Sequence, residues 1–158
     1  MKIHNASATL TLDALAAFAR IPDRVVVHPG ERLFRFGSIV GPRVRGNEIF
    51  SSPWWIPAAT YQEITKTAHR TGRSAIEVAR SRLAVTTDWN PNMDWLSIFE
   101  LKVPVYAWVG PAKQQPLSGV DRSVLLLGHF NKAYVPGLAP PGAMASEVGT
   151  LIYNGCPF

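Results

Sequence analysis

Apolar positions recur along this chain first at helical spacing and later at strand spacing. Leu12, Leu15, Ala16 and Ala19 fall on one face, with Thr11 placed to cap the start and Pro22 to end it, which predicts a helix from Thr11 to Ile21. Val25, Val26 and Val27 form a short β-branched run closed by Pro29-Gly30. Leu33, Phe34 and Phe36 surround Arg35, and so short an apolar run reads as a buried strand. Ala58, Tyr61, Ile64 and Ala68 return to three- and four-residue spacing. With Pro53 and Pro57 suited to a first turn, this predicts a helix from Ser52 or Trp55 to about His69. Ser74 to Glu77 is a capping box, so another helix starts there with Ile76, Ala79 and Leu83 as its stripe.

Beyond that helix the pattern is that of strands. Leu83 to Thr87 reads as a short one, and Asp88 to Asn92 as a turn. Trp95 to Val109 carries apolar residues on both faces and reads as one long strand or a bent pair, with Pro104 marking the bend or an edge. Further strands are predicted at Val124 to Leu127, Ala133 to Val135 and Val148 to Tyr153, separated by a polar loop at Pro111 to Gly119 and by Pro136-Gly137 and Pro140-Pro141-Gly142. Helices first and strands afterwards give an α+β fold: a single domain over residues 1–158, its helices packed on a mostly antiparallel sheet.

Composition narrows the function classes. Hydrophobic residues make up 47% and charged residues 17%, which excludes a disordered chain. The charge is +5, from scattered arginines rather than a basic tail, which suits a phosphate-bearing ligand or nucleic acid. One cysteine, Cys156, allows no intrachain disulfide, and no Cys/His spacing suits zinc, so no metal is expected. No segment approaches the roughly 18 apolar residues of a membrane span, and no basic cluster precedes an apolar run as in a signal peptide. The expected location is the cytoplasm, or a target-cell cytosol reached without a cleavable leader.

The chemistry concentrates between Glu31 and Trp55. A guanidinium inside an apolar strand needs a carboxylate, a phosphate or a ring of carbonyls. Arg35 is therefore either a strand-end arginine that reaches water or pairs with an acid such as Glu100, or an anion clamp at the floor of a cleft. The loop Gly41 to Asn47 holds Arg43 and Arg45, and is either a solvated turn or a phosphate-contacting loop. Ser51-Ser52-Pro53-Trp54-Trp55 follows.

A strand with L-x-R followed by a strand ending in Ser-Ser-Pro resembles the first two motifs of ADP-ribosyltransferase toxins. The wording RFGS, then F-S-S-P, is also similar to NAD glycohydrolases of the necrotizing-toxin type. The resemblance implies a split sheet. It implies Arg35 holding the NAD phosphates and nicotinamide ribose, with Ser51 and Ser52 shaping the nicotinamide site and Trp54 or Tyr61 stacking on a ring. In the transferases a glutamate precedes a strand that ends in proline. The matching segment here is Gly128 to Pro136, where Asn131 or Lys132 takes its place, while Glu147 is the other candidate acid one strand later. The implied function is a toxin or effector that cleaves the nicotinamide–ribose bond of NAD and transfers ADP-ribose to a macromolecule. The alternative is an NAD glycohydrolase, nearer because a neutral residue stands at Asn131. NAD enters as substrate, and the implied partners are a protein or nucleic-acid acceptor and an immunity or inhibitor protein. A reading from another class is a non-catalytic nucleic-acid- or partner-binding domain, because five tryptophans and many basic residues can stack on bases.

Overall fold

The computed structural model describes residues 2–37, 52–90, 92–138 and 142–152. Its sheet is antiparallel throughout and takes strands from nearly the whole chain: β1 (Asp23–Val27), β2 (Arg32–Gly37), β3 (Trp54–Pro57), β4 (Trp95–Leu101), β5 (Val105–Pro111), β8 (Asn131–Tyr134) and β9 (Ala145–Ile152). They lie in the order β1-β5-β8-β3-β2-β4-β9, and a separate hairpin pairs β6 (Gln115–Pro116) with β7 (Leu125–Leu126). The helices α1 (Leu12–Ala16), α2 (Ala58–Thr71) and α3 (Ala75–Arg82) all precede β4. The structure shows the expected α+β class with an antiparallel sheet, but the helices do not all come first: β1 to β3 lie between α1 and α2.

The sheet has a core on each side. On one side Leu33, Trp55, Phe99, Val105 and Ala133 pack together as the sheet curls. On the other, Phe34, Phe36, Ile56 and Leu96 receive Ile64 and Ala68 of α2 and Val78 and Ala79 of α3. Strand alternation places Phe34 and Phe36 opposite to Leu33 and Arg35. Ser74 caps α3 as its spacing predicts, accepting from the Glu77 amide at 3.1 Å, and Gly72 ends α2 in the left-handed region at φ +68°.

Several elements differ from the sequence pattern. The first helix stops at Ala16, and its buried face is Ala14 followed by Phe18 on Trp108 and Tyr134, while Leu12 is 84% exposed. Trp54 to Pro57 is a strand rather than a first helical turn, because it finds β2 on one side and β8 on the other. Leu83 to Thr87 is a tight turn, with Ala84 at φ +53° and the Arg80 guanidinium donating to the Val85 carbonyl at 3.0 Å. Trp95 to Val109 is two strands that do not pair with each other: β4 joins β2 and β9, and β5 joins β1 and β8. The Gly41 to Asn47 loop and Ser51 lie outside the described residues.

The arrangement that positions the site is a fork. β2 and β3 pair only at Leu33 with Pro57 and Phe34 with Ile56. From Arg35 onward β2 continues along β4, with Arg35 opposite Ser97, while the chain entering β3 leads away.

Candidate functional site

Arg35 is 6% exposed, and its head fills the fork. Nε and Nη2 donate to the Trp54 carbonyl at 3.1 and 3.0 Å, and Nη2 also donates to the Ser52 carbonyl. The guanidinium lies 3.6 Å over the Trp55 ring. Among the described residues Arg35 meets backbone carbonyls and an aromatic face, and a planar fork of donors suits both. Burial lowers Arg35 to about 9. Glu100 is not its partner; it faces Arg32 at 3.6 Å in an exposed pair that adds little.

Arg35, Ser52 and Trp54 line one cleft of about 1000 Å³, together with Phe36, Trp89, Asn90 and Lys132. The first three are among the residues that the resemblance assigns to a site. The other expected residues are placed elsewhere. Tyr61 stacks on Phe34 at 4.3 Å and 9° within the core under α2. Asn131 is exposed opposite Pro111. Glu147 is exposed on β9, at the edge of the sheet, opposite Phe99. None of these three lines the cleft. Ser51 is outside the described residues.

Lys132 enters the cleft instead of Asn131. Alternation along β8 puts it on the same side as Tyr134, and Nζ sits 4.6 Å from the Trp54 ring centroid and 5.6 Å from that of Phe18. Among the described residues no carboxylate pairs with it. Burial lowers it to about 8 from its ordinary 10.5. The unfolded chain therefore holds a proton between about pH 8 and 10.5 that the folded chain lacks, and stability gains with pH across that window. Below pH 8 the burial penalty is present in full. Lys132→Met is expected to be more stable than the parent at pH 7 by about 1–3 kcal/mol, with the advantage fading toward pH 10.5. Urea midpoints at pH 7 and 10 measure this; a constant difference would refute the burial cost.

No protein-family model matches the chain, and no curated protein sequence matches it. Several solved structures share its fold, among them Tne2 and Rhs1-CT. Tne2, solved in complex with Tni2, superposes with a TM-score of 0.52 over 84% of this chain and 93% of that one, at 14% identity. Rhs1-CT, solved in complex with its cognate immunity protein RhsI1, gives a TM-score of 0.52 over 83% and 80%, at 10% identity. At such identities the likeness is one of fold.

The chemistry of the cleft is that of two cations against aromatic walls. Trp54 carries Lys132 over its ring, and its own ring lies 5.2 Å from Tyr134 and 5.4 Å from Phe18. It is a packed wall. Trp89, which the sequence pattern placed in a turn, is 68% exposed at the rim. Asn90 brings a neutral amide, its Nδ2 donating to the Phe36 carbonyl at 3.0 Å. Among the described residues Asp13 is the one carboxylate lining the cleft, and no three His, Cys, Asp or Glu side chains gather as a metal site. No described helix is long and apolar enough to cross a membrane.

Proposed function

We propose that the chain is a toxin or effector domain that consumes NAD by cleaving its nicotinamide–ribose bond, with water rather than a macromolecule as the principal acceptor. The observation that carries this reading is the pairing of Arg35 and Lys132 in one aromatic-walled cleft of dinucleotide size. Cations recessed in a cleft suit the diphosphate of a small ligand; a nucleic-acid groove would set them along an open surface. The resemblance in the Arg35 and Ser52 motifs supports NAD as the diphosphate. The fold shared with Rhs1-CT, which is held by a cognate immunity protein, supports an effector with an inhibitor partner.

Hydrolysis ranks ahead of transfer because the transferase pattern needs a glutamate from the β8 segment, and that segment sends Lys132 into the cleft. Among the described residues the neutral side-chain amide lining the cleft is that of Asn90, and it is the candidate dipole for the developing ribose cation. Asn90→Ala is expected to lower kcat by about 10²-fold with little change in KM, the scale of losing one preorganised dipole. Asn131→Ala and Glu147→Gln are expected to turn over NAD at the parental rate, since neither residue lines the cleft. A slow Glu147→Gln would return the acid to the mechanism.

The deciding assay incubates the chain with labelled NAD and follows free nicotinamide and labelled macromolecules. Nicotinamide with free ADP-ribose is the expected result. Label on protein or nucleic acid makes the chain a transferase, and release of neither makes it a binding domain.

A further inference from the structure

Beside the main cleft lies a smaller cavity of about 330 Å³, and the two share Asp13, Ala17 and Trp89. We infer that this cavity is the subsite for the adenosine end of the ligand, with Trp89 as the platform on which adenine stacks. The inference rests on the dinucleotide reading of the main cleft and extends it to residues that no motif marks.

Trp89 is the first reason. A large indole left 68% exposed at the junction of two cavities is an uncommon use of apolar surface. Its backbone is anchored in a turn. Its amide donates to the Thr86 carbonyl and to Thr86 Oγ1, each at 3.3 Å. The residues on either side are strapped to the body of the protein. Arg80 donates from Nη1 to the Val85 carbonyl at 3.0 Å and from Nη2 to the Asn90 carbonyl at 2.9 Å. Asn90 in turn reaches the Phe36 carbonyl on β2. A ring carried on an anchored turn leaves only its two side-chain torsions to be ordered when a planar base settles on it.

The polar groups are the second reason. Gln114 and Gln115 line the small cavity with Lys113. Gln115 Nε2 is committed to the Ala84 carbonyl, which fixes that side chain. Gln114 makes no side-chain hydrogen bond among the described residues. A glutamine amide presents a donor and an acceptor side by side, the complement of adenine N7 and the 6-amino group. Asp13 lines both cavities and so stands where the ribose between adenine and diphosphate would pass; a carboxylate accepts from ribose hydroxyls.

The third reason is placement. Arg35 and Lys132 line the main cleft and not the small cavity, so a ligand whose phosphates meet them has its base left over for the neighbouring space.

Calorimetric titration of the intact chain with ADP-ribose and with ribose 5-phosphate tests this. The second probe keeps phosphate and sugar but lacks the base. Trp89→Ala is expected to weaken ADP-ribose by about tenfold or more, on the scale of one base–aromatic stack, and to leave ribose 5-phosphate unchanged. Trp89→Phe is expected to recover most of the loss, and Gln114→Ala to narrow the preference for ADP-ribose over its inosine analogue. Equal affinity of parent and Trp89→Ala for ADP-ribose would remove the adenosine subsite and leave the main cleft standing. Equal weakening of both probes would also overturn it, because Trp89 would then act through the shape of the cleft. A parent that binds neither probe removes both readings. A single-stranded oligonucleotide that displaces ADP-ribose through Trp89 would reassign the platform to nucleic acid and overturn the dinucleotide.

Discussion

Arg35→Ala is expected to lower stability by about 2–4 kcal/mol and, on the proposed NAD reading, to abolish NAD binding in the molecules that remain folded. The guanidinium supplies hydrogen bonds from a charged donor to the Ser52 and Trp54 carbonyls. Each such bond is worth about 1.5–3 kcal/mol, and burying the charge offsets part of the sum. Alanine leaves those carbonyls without that donor and the Trp55 ring without its cover, just where β2 and β3 part. The arginine is therefore both a tie across the fork and a wall of the cleft. A pure anion clamp would leave the melting temperature unchanged. Arg35→Lys keeps the charge but replaces a planar fork by a single ammonium, so it restores only part of either property. Urea unfolding gives the first quantity, and titration with NAD well below the melting temperature gives the second. Parental stability would sink the tie, and parental NAD affinity would sink the contact with ligand.

Gly128→Ala is expected to have an effect of similar size, from a position outside the lining of the cleft. Gly128 adopts φ +72°, in the left-handed region, where a Cβ is strained. That Cβ would also stand 2.3 Å from the Ala112 carbonyl oxygen and 3.1 Å from the Gln114 amide, both backbone atoms that no rotamer change can move. The residue is pinned as well, its own amide donating to the Ser81 carbonyl at 2.8 Å while the next amide donates to Ala112 at 3.0 Å. The expected loss is about 3 kcal/mol or more, from strain and displacement together, seen as a fall in melting temperature of roughly 10 °C. Because Gly128 leads into β8, which carries Lys132, and abuts Ala112 to Gln114 beside the small cavity, the surviving folded fraction should bind NAD weakly. A variant with parental melting temperature would show that the two backbones can separate at little cost.

Some of this was legible one residue at a time. The capping box at Ser74 is a local interaction, so four residues sufficed to announce the helix start. The buried charge at Arg35 was visible because its neighbours Leu33, Phe34 and Phe36 have no other use than burial. The resemblance put Ser52 beside it and offered Trp54 or Tyr61 as a stacking ring; of these Ser52 and Trp54 line the same cleft as Arg35. The α+β order of elements came from periodicity, which is also local.

What only the tertiary structure decided are the choices that depend on partners far along the chain. Trp54 to Pro57 has proline spacing compatible with a helix start, and becomes a strand because β8 offers it an edge. Leu12 and Leu15 have helical period, yet the aromatic surface of Trp54, Trp108 and Tyr134 selects Ala14 and Phe18. On β8 a shift of one residue exchanges faces, so whether Asn131 or Lys132 meets the cleft was set by pairing with β3 and β5 and not by any motif. Glu147 shows the same limit: a carboxylate one strand after the motif reads as a neighbour of the site, but β9 joins the sheet beyond β4, at the edge away from β8. By itself the sequence determined which residues must be buried, capped or charged. Which of them share a cleft was decided by strand order and register, because those depend on the free energy of the whole sheet rather than on any one segment.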